Sequence, residues 1–476
     1  MWQPILMICG YFISILGIAM LFPIALEFYY QGNNYPIFAN SAIVAIFIGF
    51  SLFLSNRGTI KEINIKQAYL ITSTSWISAG IIASLPFLFY GLSPIDALFE
   101  GYSGITSTGI STISNIEKLP KSLLLWRSIL NVVGGVGIVI FATALLPFLG
   151  IGGMQLFQRE NSDTNEKFMP KISYMAKRII GVYITLITLC LLSLKLAGMD
   201  WFDSICHALS TVSTSGSSTH NTSIAFYNNV QIEAIITLFM FLGACPLAFL
   251  YNFFISGHIG ELRSGQVYAF IKILALYTLI MWGWLSINNF YDPIQSLRYA
   301  LFQVVSLTSS TGYSSANYLQ WGSFASTAII IFSLTGGCSG STSGSIKIFR
   351  WQVIIAQLKR ALVITTEPNR LYPLKVGKIN VSNSAASSVF IFFVAYFFSI
   401  AILTSLVSLC GVDFLPSLSI VINCITNAGA EIESITNQNY GQFSDTIKLI
   451  LTFTMLLGRL EILTILVMMC KNFWQR

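Results

Sequence analysis

Apolar runs of nearly uniform length dominate the chain. A membrane-spanning helix takes about 20 mostly apolar residues. Nearly uncharged stretches of that size recur at 5–26, 35–55, 67–91, 128–149, 179–199, 234–257, 273–291, 323–346, 384–410 and 449–470. Shorter apolar segments lie between some of them, at 94–108, 203–215, 296–311 and 414–428. These are too short to cross and have the length typical of re-entrant or interfacial segments. The pattern predicts an all-α polytopic membrane protein with about ten transmembrane helices.

Composition agrees. Of 476 residues, 54% are hydrophobic and only 9% charged, whereas soluble chains carry about 25% charged residues. That excludes a cytosolic globule, a disordered chain and a secreted disulfide scaffold. The net charge of +7 does not signal nucleic acid, because the basic residues sit in short loops between apolar spans. The eight Cys form no CxxC pair and no cluster with His, so neither zinc nor a disulfide framework is indicated. The first span starts almost at Met1 without a basic leader or a cleavage site, and reads as retained.

Loop charge orients the spans. The loops after the second, fourth, sixth and eighth spans and the C-terminus hold 19 of the 26 basic residues. By the positive-inside rule that side is cytoplasmic, with both termini there. Acids such as Glu27, Asp96, Glu100, Glu117, Asp203 and Glu233 fall on the opposite side. They either concentrate cations at an outer mouth or simply occupy loops from which basic residues are excluded.

The short segments repeat one another. The first runs from Asp96 to Gly109 and the second from Asp203 to Gly216; the third and fourth end at Gly312 and Gly429. A hydroxyl residue stands three positions before each glycine: Thr106, Ser213, Ser309 and Thr426. The predicted unit is therefore helix, half-helix, extended strand and helix, four times around one pore. It divides the chain into two extra N-terminal helices (1–60) and repeats at 61–158, 159–260, 261–365 and 366–476. Non-helical backbone at membrane depth survives only where protein buries it or a cavity lines it. Four such strands around an axis would offer rings of carbonyl oxygens able to replace the hydration shell of a monovalent cation. Glycine supplies the positive φ that turns those carbonyls, and the half-helices aim their negative ends at the ion.

Two further features break the apolar pattern. Gly336, Gly337, Gly340 and Gly344 interrupt the second half of the 323–346 run. At about 1 kcal/mol each in a helix interior, they should break it into a loop that obstructs the pore below the strands. Close helix packing through small residues is the plainer alternative. A phosphate loop is excluded, because no Gly-Lys-Ser/Thr occurs there. Arg459 follows ten uncharged residues in the last span, about 15 Å down the helix from Leu449 at 1.5 Å per residue. It should meet the loop at similar depth and face the pore, while Glu461, two residues on, faces a neighbouring helix. Shortening the loop or replacing Arg459 would leave the carbonyl rings untouched, so either change should raise flux and leave selectivity mostly intact.

The four glycines, the run Gly336-Gly-Cys-Ser-Gly-Ser-Thr-Ser-Gly-Ser-Ile-Lys347 and Gly458-Arg459-Leu460-Glu461 resemble the Trk/Ktr/HKT superfamily of potassium transporters. The length and the extra N-terminal helices resemble its bacterial TrkH/TrkG-type branch. Ser345 stands where that family's loop signature usually has a second Gly, and Ala430 where Pro often follows the fourth filter Gly. The resemblance implies potassium as the permeant ligand, with no other cofactor. Its coordinating carbonyls would be those of Ser107, Thr108 and Gly109; of Thr214, Ser215 and Gly216; of Ser310, Thr311 and Gly312; and of Asn427, Ala428 and Gly429. The hydroxyl residues three before each glycine are further candidate ligands. The resemblance also implies a homodimer in the bacterial inner membrane, gated by a TrkA-type ring of cytosolic nucleotide-binding subunits. The basic loops at 159–178 and 347–378 would form the contact surface.

Two other functions compete. A proton- or sodium-coupled symporter would need acids inside the spans, and these hold almost none. A membrane enzyme would need a nucleophile and base. The three His (His207, His220 and His258) sit in no GxSxG, HExxH or SxxK pattern. The expected protein is a transporter and not an enzyme.

Overall fold

The computed structural model of the chain describes residues 2–58, 64–144, 168–256, 265–377, 379–429 and 439–475. Ala430, His258 and residues 159–167 of the basic loop lie outside the described residues. At the N-terminus α1 (Trp2–Ala19) and α2 (Leu21–Tyr29) together make one span, and α3 (Tyr35–Ser55) returns beside it. Gly10 and Gly49 let the backbones of α1 and α3 touch: a Cβ on Gly49 would lie 2.5 Å from the Ser14 hydroxyl and 2.7 Å from the Gly10 carbonyl oxygen. Small residues at such crossings are how helices associate where lipid offers no hydrophobic drive.

One plan then recurs. The first copy is α4 (Ile65–Tyr90), the short α5 (Pro94–Ile105), a non-helical stretch that serves as its pore strand and α6 (Lys121–Ala144). The second is α7 (Phe168–Leu196), the short α8 (Trp201–Val212), a strand, α9 (Val230–Gly243) and α10 (Leu247–Ser256). The third is α11 (Gln266–Ile287), the short α12 (Pro293–Thr308), a strand, α13 (Gly322–Ser333), a loop and α14 (Ile348–Thr366). A two-strand antiparallel hairpin, β1 (Lys375–Val376) and β2 (Ile379–Asn380), leads to the fourth. That copy is α15 (Asn383–Leu409), the short α16 (Phe414–Thr426), a strand, α17 (Asp445–Arg459) and α18 (Ile462–Met469), ahead of a last turn α19 (Lys471–Trp474). Each short helix starts on a Ser or Asp cap, Ser93, Asp200, Asp292 or Asp413, the residues favoured there. Pro94 and Pro293 take the first helical position, where no N–H is needed.

The protein is multi-pass and helical, but three predicted spans are not single helices. Seven described helices are long and apolar enough to cross, and two bent pairs raise that to nine. The 234–257 run turns by 106° between α9 and α10, where Pro246 removes a backbone donor. The 449–470 run turns by 106° between α17 and α18, at Glu461 with φ +61°. The 323–346 run is helical only to Ser333.

Buried apolar side chains form two large clusters. One is built mainly from the first and fourth copies and the N-terminal helices and takes in Phe202 of the second copy and Phe349 of the third; the other is built mainly from the second and third. Ion pairs stitch neighbouring copies together at the ends of the short helices remote from the strands. Lys448 reaches Asp96 at 2.7 Å, and Arg298 holds Glu233 through two hydrogen bonds of 2.6 Å. His220 stands between Asp203, at 3.1 Å, and Glu117, at 3.5 Å. Burial raises the Asp203 carboxyl, but hydrogen bonds from Tyr227, Thr219 and His220 outweigh it and hold the group below its ordinary value.

Gly49→Val should force α1 and α3 apart. Overpacking costs about 1–3 kcal/mol, so the melting temperature in detergent should fall by several degrees while ion selectivity stays unchanged; fluorescence-detected thermal unfolding checks this.

Candidate functional site

The four short helices end in the same way. In the first copy Ser107 N–H donates to the Gly104 carbonyl at 3.0 Å and Thr108 N–H to the Ser103 carbonyl at 2.9 Å. The same pair of bonds recurs from Thr214 and Ser215, from Ser310 and Thr311, and from Asn427 and Ala428. This is a Schellman cap, which needs a left-handed residue just past the helix. That residue is Ser107 (φ 55°), Thr214 (51°), Ser310 (56°) or Asn427 (51°). None is glycine, and a branched Thr in that region is a genuine outlier. Each glycine follows two residues later, again at positive φ: Gly109 (81°), Gly216 (75°), Gly312 (85°) and Gly429 (60°). Each strand thus alternates hand twice within three residues.

The glycines close a ring. A Cβ on Gly109 would overlap the Ser215 carbonyl oxygen, one on Gly216 that of Thr311, one on Gly312 that of Ala428, and one on Gly429 that of Thr108. The copies therefore surround one axis in chain order, and the residue before each glycine presses its carbonyl against the glycine of the preceding copy. The twelve residues from Ser107, Thr108 and Gly109 round to Gly429 come together as one collar.

The hydroxyls three before each glycine look inward to their own helices. Thr106, Ser213 and Thr426 donate to the carbonyls of Tyr102 (2.7 Å), Leu209 (2.6 Å) and Ile422 (2.7 Å). Ser309 donates to Ser306 O at 3.1 Å. The hydroxyls of Thr106 and Ser309 also lie 2.7 Å from those of Thr108 and Thr311. Six residues before the first and third glycines, Ser103 and Ser306 donate across to the carbonyls of Ile110 (2.5 Å) and Tyr313 (2.7 Å) and pin the strand's far end.

Residues 334–347 lie directly beneath the collar. Gly344 is pressed so close to Thr426 O that any Cβ there would overlap it. Gly344 N–H donates to Ser310 Oγ at 2.5 Å, and Ser345 N–H to Thr426 O at 3.0 Å. Thr214 Oγ1 donates to Thr342 Oγ1 at 3.2 Å. Gly336 and Gly337 lie at the loop's base, where Gly336 N–H bonds Ile346 O and Ile348 N–H bonds Gly337 O. Gly340 lies to the side, accepting from Leu247 N–H, while Ala244 O accepts from Cys338 N–H and Gly243 O from Thr342 N–H. The α9–α10 bend is thus the loop's docking edge. Lys347 turns its ammonium onto the Ser343 carbonyl and the Ser341 and Ser343 hydroxyls.

Arg459 meets the loop as its depth predicted. Its guanidinium donates to Thr342 O (3.1 Å), Gly134 O (2.9 Å) and Ser107 Oγ (3.3 Å). It is buried, and among the described residues no carboxylate lies within ion-pair distance of it. Its hydrogen bonds go to neutral oxygens alone. Glu461 faces away and pairs with Arg350, which also stacks on Phe392 at 3.8 Å.

The loop and the collar share hydrogen bonds, which the sequence did not announce. Sequence reasoning also missed Thr342, the left-handed residues and the docking bend. Pro246 inside an apolar run was the available signal for the last.

Comparison with known proteins points the same way. The model of a family described as "Cation transport protein", TrkH, matches residues 34–476. The Trk system potassium uptake protein TrkH of Halomonas elongata is 32% identical over 482 residues, covering 100% of this chain and 99% of that protein. The TrkG protein of the same system in Escherichia coli is 30% identical, covering 98% of this chain and 97% of its own. The crystal structure of the potassium transporter TrkH from Vibrio parahaemolyticus superposes with a TM-score of 0.92 at 30% identity, over 100% of both chains. Relatives this similar along their whole length are transport proteins, and this chain belongs to the TrkH family of cation transport proteins.

Proposed function

We propose that this chain is the membrane subunit of a bacterial potassium uptake system. Potassium enters from the acidic side, sheds water into the carbonyl collar and passes to the cytoplasm when the loop beneath moves aside. The observation that carries this reading is the closed cycle of four glycines, each facing the next strand's carbonyl. Such oxygens, with four helix C-termini aimed at them, suit a bare monovalent cation. The loop and Arg459 form the gate, one by bulk and the other by charge.

The chain works as a homodimer in the inner membrane with both termini in the cytoplasm. A TrkA-type nucleotide-binding ring supplies the energy that moves the gate. The basic residues Lys359, Arg360, Arg370 and Lys375 lie on the cytoplasmic side by the loop-charge rule and form the contact surface.

Gly→Ser at 109, 216, 312 or 429 places a side chain on the neighbouring carbonyl. Each change should cut potassium-over-sodium discrimination by about tenfold or more, a change of ~1.4 kcal/mol in relative barrier. Rubidium uptake into proteoliposomes, with potassium, sodium and lithium competing, reads this; wild-type discrimination in all four variants would dispose of the collar as a filter. The same assay run against opposing proton or sodium gradients separates a channel from a coupled symporter.

Arg459→Ala should raise partner-free flux by about tenfold, since removing one barrier charge of ~1.4 kcal/mol changes a rate by that factor. Lower flux in a folded variant would mean that Arg459 supports the path and does not close it.

For assembly, light scattering should give a dimer that binds the nucleotide-loaded ring. A monomer indifferent to that ring would refute the arrangement.

A further inference from the structure

The loop beneath the collar does more than obstruct. We infer that Thr342, Gly344 and Ser345 are positioning residues for the carbonyl collar, so that the closed loop and the selective shape of the collar are one coupled state.

The bonds reach the strained points. Three of the four strands begin at a left-handed residue that is not glycine and that costs energy to hold: Ser107, Thr214 and Ser310. Such a conformation persists only when its surroundings over-determine it. Each of the three has its hydroxyl engaged from below. Thr214 donates to Thr342, Ser310 accepts from Gly344 N–H, and Ser107 accepts from Arg459, which itself holds the Thr342 carbonyl. The fourth, Asn427, tolerates the left-handed region better. It is held by the Thr108 hydroxyl (2.8 Å) and Met455 O (3.1 Å). The loop meets this copy one residue earlier, at the Thr426 carbonyl.

Thr342 is the junction. Its hydroxyl also lies 3.1 Å from Val212 O and 3.0 Å from Gly243 O, joining the last turn of α8 to the α9–α10 bend. Ser345 is the latch on the other side. At φ 59° it sits where glycine would be unstrained. Its hydroxyl donates to Ser333 O at 2.6 Å and reaches Thr426 O at 3.2 Å, bonds that glycine cannot make. The strain at Ser345 is offset by contacts between the end of α13 and the cap of α16. Lifting the loop breaks these bonds together and releases the left-handed residues of the second and third strands. By linkage, an ion that prefers the shaped collar must favour the closed loop by the same factor.

This inference rests on reading the collar as the potassium filter, and the experiment separates the two. Thr342→Val keeps the shape and removes the hydroxyl; Thr342→Ser restores it; Ser345→Ala removes the latch without touching a collar residue. Potassium and sodium affinities are measured by calorimetry on purified, partner-free protein, alongside rubidium uptake with the same competitors. The expected result for Thr342→Val and Ser345→Ala is weaker potassium binding, by threefold or more, with unchanged sodium binding and a lower potassium-to-sodium ratio in uptake, and recovery in Thr342→Ser. Raised flux with wild-type affinity and ratio in both variants would overturn the coupling and leave the loop a plug, with the filter reading intact. A wild-type protein without potassium preference in either assay would overturn both. If Thr342→Val fails to fold, Ser345→Ala decides alone.

Discussion

A peptide group in a bilayer must find its hydrogen-bond partner within the protein, and the whole structure depends on how four interruptions of helix meet that demand. Each short helix ends with carbonyls that have no partner in the next turn. The Schellman caps take some of them, serine hydroxyls pin the far ends of the first and third strands, and the remaining oxygens face one another around an axis. The ion site proposed here, made of backbone alone, would be the residue of a hydrogen-bond count that does not close. Lipid could not satisfy those oxygens, and a dehydrated cation can.

The surrounding scaffold keeps that count fixed. Two apolar clusters pack the copies together, one mainly of the fourth and first and the other mainly of the second and third. Salt bridges between copies, Lys448 with Asp96 and Glu233 with Arg298, add polar ties between the units. The three abrupt turns, after α9, after α13 and at Glu461, admit chain from three copies into the volume below the collar. Only α6 of the first copy runs past without a break as far as Ala144, and it contributes the Gly134 carbonyl that anchors Arg459.

Much of this was legible in the sequence, because bilayer thickness fixes helix length and four glycines at like positions fix the repeat. The meeting of the glycine-rich loop with Arg459 followed from counting residues down two helices. What stayed hidden were interactions set by backbone handedness. Nothing in the letters of Ser107, Thr214 or Ser310 announces a left-handed residue, since the usual marker is glycine. The contacts of Thr342 depend on a bend in another copy, and hydropathy averaged over 234–257 conceals it. The glycines of the loop read as helix breakers. Gly344 in addition serves close approach, since any side chain there would strike the Thr426 carbonyl.

The single floor beneath four strands has a consequence for how such a molecule can be assembled. Were the ring built from four identical subunits, a loop long enough to pass under the strands of its neighbours would occur four times, and all four copies would compete for the same volume on the symmetry axis. Joining the units in one polypeptide removes that conflict. One unit can grow the obstruction, another the arginine, and a third the docking bend, while all four keep the same collar. Covalent fusion thus turns an exact rotational symmetry into an approximate one, and the approximation is what leaves room for a lone asymmetric part at the centre.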